Sequence, residues 1–402
     1  MRLLVINRSQ YLNPRLLRWL HFFRWWAAWT VLATHARDAL FVPLRDMPAG
    51  TRSPLMLVFS FIAGFGHQAV VIFFVLSGYL VGGALLRELM TTGDVRLGRY
   101  LMHRFTRLYL VLVPALVLGG LLDTLGMHLF EGIDLYTPDR AGRLVPDILA
   151  CNLAFLQTIA CPAFGTNGPL WSLANEFWYY ILWPLLLGPF LVRRSGPVRL
   201  VMAIAALLTM AGLIYAQASQ TYDIVPYMLV WLMGVLPVIV PRPPVRSFPV
   251  ALVLFLAVSI AARVAIPHYL GDLVAGGLVL LADLSVALAF AGVLIALAHG
   301  RAAPGLFERQ PVHARLSDFS YSLYLVHLPF LTFLCPLLQQ ITGYGSGMIP
   351  NSPMAWVASA VVIATTLLYA YGVSLGTERH TAATRAWLAN MRVMVERRMG
   401  RR

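Results

Sequence analysis

The sequence predicts an all-α integral membrane protein of about ten transmembrane helices, with both termini on the cytoplasmic side. Three observations predict it. Hydrophobic residues make up 59% of the 402-residue chain and charged residues 12%, far from the balance of a soluble domain. Apolar runs recur at lengths that, at about 1.5 Å per residue, cross a hydrocarbon layer of about 30 Å. The basic side chains, all of them arginine, are divided unevenly between the two sides those runs define.

The runs lie near residues 19–37, 67–88, 102–123, 171–192, 198–216, 225–241, 248–266, 278–298, 320–340 and 354–377. Counted from an inside N-terminus, 24 arginines fall in inner segments and six in outer ones, the positive-inside bias of an even span count. Topology and attraction to anionic lipid therefore account for the net charge of +14, and nucleic acid is not needed as a partner. The first run follows a basic amphipathic stretch and has no small-residue cleavage site, so it reads as a retained anchor. No phosphate-binding GxxxxGK[ST] loop or dinucleotide fingerprint is present, which argues against ATP-driven transport.

One membrane domain is expected over residues 19–378, preceded by a cytoplasmic segment, 1–18, and followed by a basic cytoplasmic tail, 379–402, that coats the inner leaflet. The complete absence of Lys suggests a GC-rich bacterial genome and hence a bacterial inner membrane. Cys151 and Cys161 share a predicted outer loop, where a disulfide and two free thiols are both open readings. Cys335 falls in an apolar span and reads as core, and no cysteine spacing suggests a metal site.

Five polar clusters interrupt the apolar pattern. Arg24 and His35 sit in the first run, where an ionisable residue costs at least about 2.5 kcal/mol and is a functional candidate by default. Eleven residues separate them, which brings the second side chain to within about 20° of the first and about 16 Å further along. Ser77 and Gly78, in FFVLSGYLV, fit close helix approach. Arg104 and Arg107, in RYLMHRFTRLYL, share a helix face and suit either positive-inside anchoring or bidentate phosphate binding. Glu176, in GPLWSLANEFWYY, is expected two turns in from the outer surface with Ser172 on the same face. At that height it would meet His35, fix its tautomer and raise its basicity. Ser320, Tyr324 and His327, in SYSLYLVHLPF, line one stripe, followed by a Pro that frees backbone groups.

Arg24 and His35, then FFVLSG, Arg104 with Arg107, WSLxxE and SYxLYLxH occur in one order over residues 24–327. Together they resemble the acyltransferase 3 family of membrane O-acyltransferases. The resemblance implies transfer of an acyl group, usually acetyl, from cytoplasmic acyl-CoA to a hydroxyl of a glycan or glycolipid. It implies Arg24 and His35 as the essential pair and Glu176 as their acidic partner. The chain departs from the family at Val71, where an acidic residue is common, and at Leu110, where Pro is usual. Many relatives also carry a soluble domain, and a relay beyond the membrane would here need another glycan-biosynthesis protein.

A physical picture follows from the expected depths. The pantetheine arm of acyl-CoA spans on the order of 15 to 20 Å, close to the rise from Arg24 to His35. Arg24, Arg104 and Arg107 would hold the donor phosphates, with Ser77, Tyr324 and His327 along the arm. His35, oriented by Glu176, would act as general base or carry the acyl group. No resident cofactor or metal is expected. Two rivals predict different products: a flippase of a lipid-linked glycan would move the acceptor unmodified, and a non-catalytic scaffold would make no product.

Overall fold

The computed structural model describes residues 14–130, 136–217, 223–269, 275–300 and 305–399. The segment before Pro14 and the arginines at 2, 8, 301, 401 and 402 lie outside the described residues. Among those described there is no β-strand, and every predicted run is helical.

In chain order, the first long helix is α1 (Pro14–Leu40). Next come α2 (Pro54–Ile62), α3 (Gly66–Ser77), a π-helical turn (Gly78–Gly82) and α4 (Gly83–Thr92). The 33-residue α5 (Leu97–Leu129) is followed by the short α6 (Pro138–Ala141) and α7 (Pro146–Leu153). Then follow α8 (Leu170–Leu191), α9 (Gly196–Ala216), α10 (Ile224–Leu232), α11 (Leu236–Ile239) and α12 (Phe248–Tyr269). The last five are α13 (Ala275–His299), α14 (Val312–Ser317), α15 (Ser320–Thr342), α16 (Pro353–Gly376) and α17 (Thr381–Met399).

Six stretches among the described residues are long and apolar enough to cross a membrane: Pro54–Thr92, Leu97–Leu129, Gly196–Ala216, Leu278–His299, Ser320–Thr342 and Pro353–Met391. The other predicted runs form helices without meeting that measure. In α1 the apolar pattern is broken by Arg15, Arg18 and Arg24, and in α8 by Asn175 and Glu176. These two helices bring polar side chains into the interior.

α1 lies at the centre, packed on α3, α14 and α15, while α5 packs on α15 and α13 packs on α3 and α12. The core they enclose includes Leu32, Val75, Val111, Phe290 and Leu325, all fully buried. Helices α9 and α12 instead present Leu200, Leu207, Leu208, Val253 and Leu254 outward, as expected of faces that meet lipid. At the π-helical turn the close approach predicted for SG is real. A Cβ on Gly78 would collide with the carbonyl oxygen of Trp231, so only glycine lets α10 come this near.

The stretch between α7 and α8 folds back into the protein interior. Cys151 and Cys161 are joined in a disulfide, which resolves their two readings. The Leu153 carbonyl accepts from Tyr109 Oη at 2.9 Å, and Phe155 stacks on Phe177 at 4.3 Å. Asp123, 1% exposed, accepts from Thr166 N and Oγ1, both at 2.8 Å. Pro329 has no N–H for the carbonyl one turn before it, and that Leu325 oxygen accepts from Asn167 Nδ2 at 2.9 Å. The freed group expected from the sequence thus anchors the re-entrant stretch.

Candidate functional site

Re-entry changes the depth of Glu176. Because α8 begins inside the protein, Phe177 stacks on Phe105 at 5.2 Å, which puts Glu176 level with Arg104 near the start of α5. The expected meeting of Glu176 with His35 does not occur. Glu176 Oε1 instead accepts from Ser77 Oγ at 2.6 Å and from the Tyr180 hydroxyl one turn along α8. Trp231 Nε1 donates to the same Ser77 Oγ at 3.1 Å, so the serine is held from two sides.

Around this carboxylate lies a cavity lined by Arg24, Ser77, Arg104, Arg107, Glu176 and Tyr324 among others. Six of the eight residues given a role in the expected reaction thus meet on one wall or another. The three guanidiniums come from α1 and α5. Arg104 lies over Tyr100 and Tyr180, 5.8 and 6.0 Å from their ring centroids, and Arg107 lies over Tyr321 at 5.7 Å. Arg104 Nε is buried with no hydrogen-bond partner among the described residues. A buried donor left unmade costs on the order of 1 to 3 kcal/mol, and an anionic ligand in the cavity would recover it.

Two contributors escape sequence reasoning. Glu378, at the foot of α16, accepts from Ser322 N and Oγ at 3.0 and 3.1 Å and faces Arg24 at 3.7 Å. Arg385, on α17, donates to the His103 carbonyl at 2.9 Å and stands within electrostatic reach of Arg104 and Arg107. The tail therefore docks against α5 and adds to the cluster, where the sequence suggested only a coat on the lipid. Their signal is a glutamate directly after an apolar run and an arginine about two turns past it, which is common at any helix end. Against Glu176 and Glu378 stand Arg24, Arg104, Arg107 and Arg385, a surplus of positive charge.

His35 and His327 are brought together, but they do not line the cavity. Their rings lie 5.2 Å apart, and the His327 ring lies 6.0 Å from that of Tyr324. Tyr324 itself bonds Ser172 Oγ at 2.7 Å and stands at the cavity wall. The order away from the guanidiniums is thus cavity, Tyr324, His327, His35. His327 Nδ1 faces the Leu323 and Tyr324 carbonyls at 3.0 and 2.9 Å, which assigns its proton to Nδ1 and leaves the lone pair on Nε2. That Nε2 is buried with no hydrogen-bond partner among the described residues.

A carboxylate–imidazole pair does exist, at positions the sequence did not single out. His67 Nε2 meets both oxygens of Asp283 at 2.8 Å, and Tyr227 Oη donates to Asp283 Oδ2 at 2.6 Å. Asp283 is 1% exposed, and the trio ties α3, α10 and α13 together. No group of three metal-ligating side chains occurs among the described residues.

A helical multi-pass membrane protein with a cationic chamber inside its bundle is the class that fold and site define. Within that class the chain belongs to the acyltransferase 3 family: the family's acyltransferase domain matches residues 17–373. It is similar to the peptidoglycan O-acetyltransferase OatA of Listeria monocytogenes, 25% identical over 315 residues, covering 70% of this chain and 47% of OatA. It is also similar to the acyltransferase MdmB of Streptomyces mycarofaciens, 27% identical over 347 residues and covering 80% of each. The chain thus spans about half the length of OatA. No solved structure matches it.

Proposed function

We propose that the protein transfers an acyl group, acetyl in the first instance, from acyl-CoA to a hydroxyl of a glycan or glycolipid at a bacterial inner membrane. One observation carries the donor side: three guanidiniums, one with a buried unpaired N–H, lining a single cavity inside the bundle. Guanidinium forks match phosphate oxygens. Placed with its phosphates on Arg24, Arg104 and Arg107, the donor runs its pantetheine arm past Ser77 and Tyr324 toward the histidines. The rise of about 16 Å along α1 from Arg24 to His35 suits that reach.

His35 is the general base in this reading. Its ring takes the proton of the acceptor hydroxyl as the oxygen bonds to the acyl carbon; the carbon–sulfur bond breaks, and the proton passes to the departing thiolate. His327, whose ring lies 5.2 Å from that of His35, holds it by packing in place of the hydrogen bond first expected from Glu176. Glu176 shapes the donor cavity through Ser77 and Tyr180 and opposes the arginines. OatA and MdmB carry acyl transfer in their names, which supports the reaction class over movement of an unmodified glycan.

Membranes carrying the protein, incubated with radiolabelled acetyl-CoA, should yield label in the extracted glycan fraction. His35→Ala, expressed at the same level, should yield none. A labelled glycan from that variant would reject the assignment of the base.

A further inference from the structure

At the end of α1 away from the cationic cavity, a second groove opens between that helix end, α2 and α12, lined by Arg37, Asp38, Ser60, Phe61 and Arg263 among others. Its charges are arranged unusually. Arg37 Nη1 donates to the Ser60 carbonyl at 3.1 Å, and Arg263 Nη2, from α12, donates to the same oxygen at 3.2 Å. Two like charges are thereby held together at the groove wall and repel one another. One carboxylate opposes them, Asp38, which holds Arg37 through Oδ1 and is 54% exposed. The remaining positive charge lies beside Phe61, 41% exposed, whose ring Arg263 overlies at 5.5 Å. Arg37 and Asp38 are also within electrostatic reach of the His35 imidazole.

We infer that this groove is the acceptor subsite and that it takes an acidic glycan, one bearing a uronate or phosphate group. An anion there relieves the repulsion between Arg37 and Arg263, while the exposed Phe61 ring offers an apolar face to a sugar. The groove has a volume of about 490 Å³, within the range of small-ligand sites. Its Asp38 lies one turn beyond His35 on the same side of α1, so a chain bound there presents a hydroxyl to the base from the end opposite the donor. The assignment rests on His35 being that base, and it gives the acceptor a charge the reaction class alone does not specify.

The test is calorimetric, with the full chain in phosphatidylcholine nanodiscs titrated with trigalacturonate as acidic probe and maltotriose as neutral one. Trigalacturonate should bind about tenfold or more tightly than maltotriose, the worth of one charge-assisted contact. Arg37→Gln and Arg263→Gln should each remove that preference. Asp38→Asn, which deletes the opposing charge and needs no new packing, should tighten trigalacturonate. Equal affinity for the two sugars, or a preference that survives both arginine variants, overturns the inference. So does loss of trigalacturonate binding when phosphatidylglycerol replaces part of the lipid, which assigns the groove to a headgroup. Acetyl-CoA titrated into the same sample reports the donor reading separately: its failure to bind, with the sugar preference intact, overturns that reading and leaves this one.

Discussion

Glu176 and Asp283 are both carboxylates inside the helix bundle, and their surroundings differ in kind. Asp283 is closed: both oxygens meet His67, Tyr227 donates to one of them, and 1% of the residue is exposed. Glu176 is open: two hydroxyls hold one oxygen, and the group faces a cavity in which arginine outnumbers glutamate. A satisfied buried cluster ties helices together, whereas a cluster with surplus charge and an unmade hydrogen bond is prepared for a ligand. Burial of a charge in a membrane protein therefore does not by itself mark the site, and the unbalanced remainder does.

That contrast can be broken by substitutions that separate activity from stability. The largest effect should come from His35→Ala, which removes the proposed base and should lower transfer by about 10²- to 10⁴-fold while the thermal unfolding midpoint in detergent stays unchanged. A parallel fall in both would make His35 a packing residue. Next, Asp283→Ala strands His67 and Tyr227 and should cost about 3 to 5 kcal/mol of stability, as when one partner of a buried pair is removed. This reads as a large drop in unfolding midpoint and expression. An unchanged midpoint with lost transfer would move the active chemistry to Asp283 and erase the distinction.

Smaller, and opposite in pattern, is Arg107→Gln. It should raise the apparent KM for acetyl-CoA by about tenfold, the loss of one charge-assisted phosphate contact, with little change in kcat or midpoint. A changed kcat at unchanged KM would take Arg107 out of donor binding. The smallest effect belongs to Asp94, outside the spans. Arg194 donates to both its oxygens at 3.1 and 3.2 Å and holds its carboxyl below the usual range. The pair is ionised at neutral pH, and what it contributes is lost only as pH falls through that lowered value. Because it is exposed and screened, Asp94→Asn should move neither transfer nor midpoint near pH 7; a measurable shift would show that surface charge matters here more than the contrast allows.

The sequence carried the helices well, because a run of apolar residues needs no partner to be recognised. It also carried the faces: Arg24, Ser77, Arg104, Arg107, Glu176 and Tyr324 each stand out on their own helix and converge on one cavity. Register between helices was not legible. Nothing in GPLWSLANEFWYY says that α8 starts inside the protein, and its sequence alone puts Glu176 at the height of His35 when it belongs with Arg104. The cause lies elsewhere in the chain, in the Cys151–Cys161 disulfide, in Asp123 gripping Thr166 and in the carbonyl that Pro329 leaves for Asn167. Glu378 and Asp283 are illegible for the same reason: each is a single acidic residue whose meaning comes from Arg24 or His67, hundreds of residues away.

In the proposed reaction the acyl donor sits in the cationic cavity. The most direct test of that placement is to irradiate the purified protein with an acetyl-CoA analogue carrying a photoreactive group on the adenine or pantetheine arm, and to map the labelled peptides. Adducts are expected in Phe73–Val81, Arg104–Leu108 and Ser320–Tyr324, suppressed by excess acetyl-CoA. Adducts confined to the outer faces of α9 and α12, or cavity adducts that excess acetyl-CoA does not suppress, would contradict that placement.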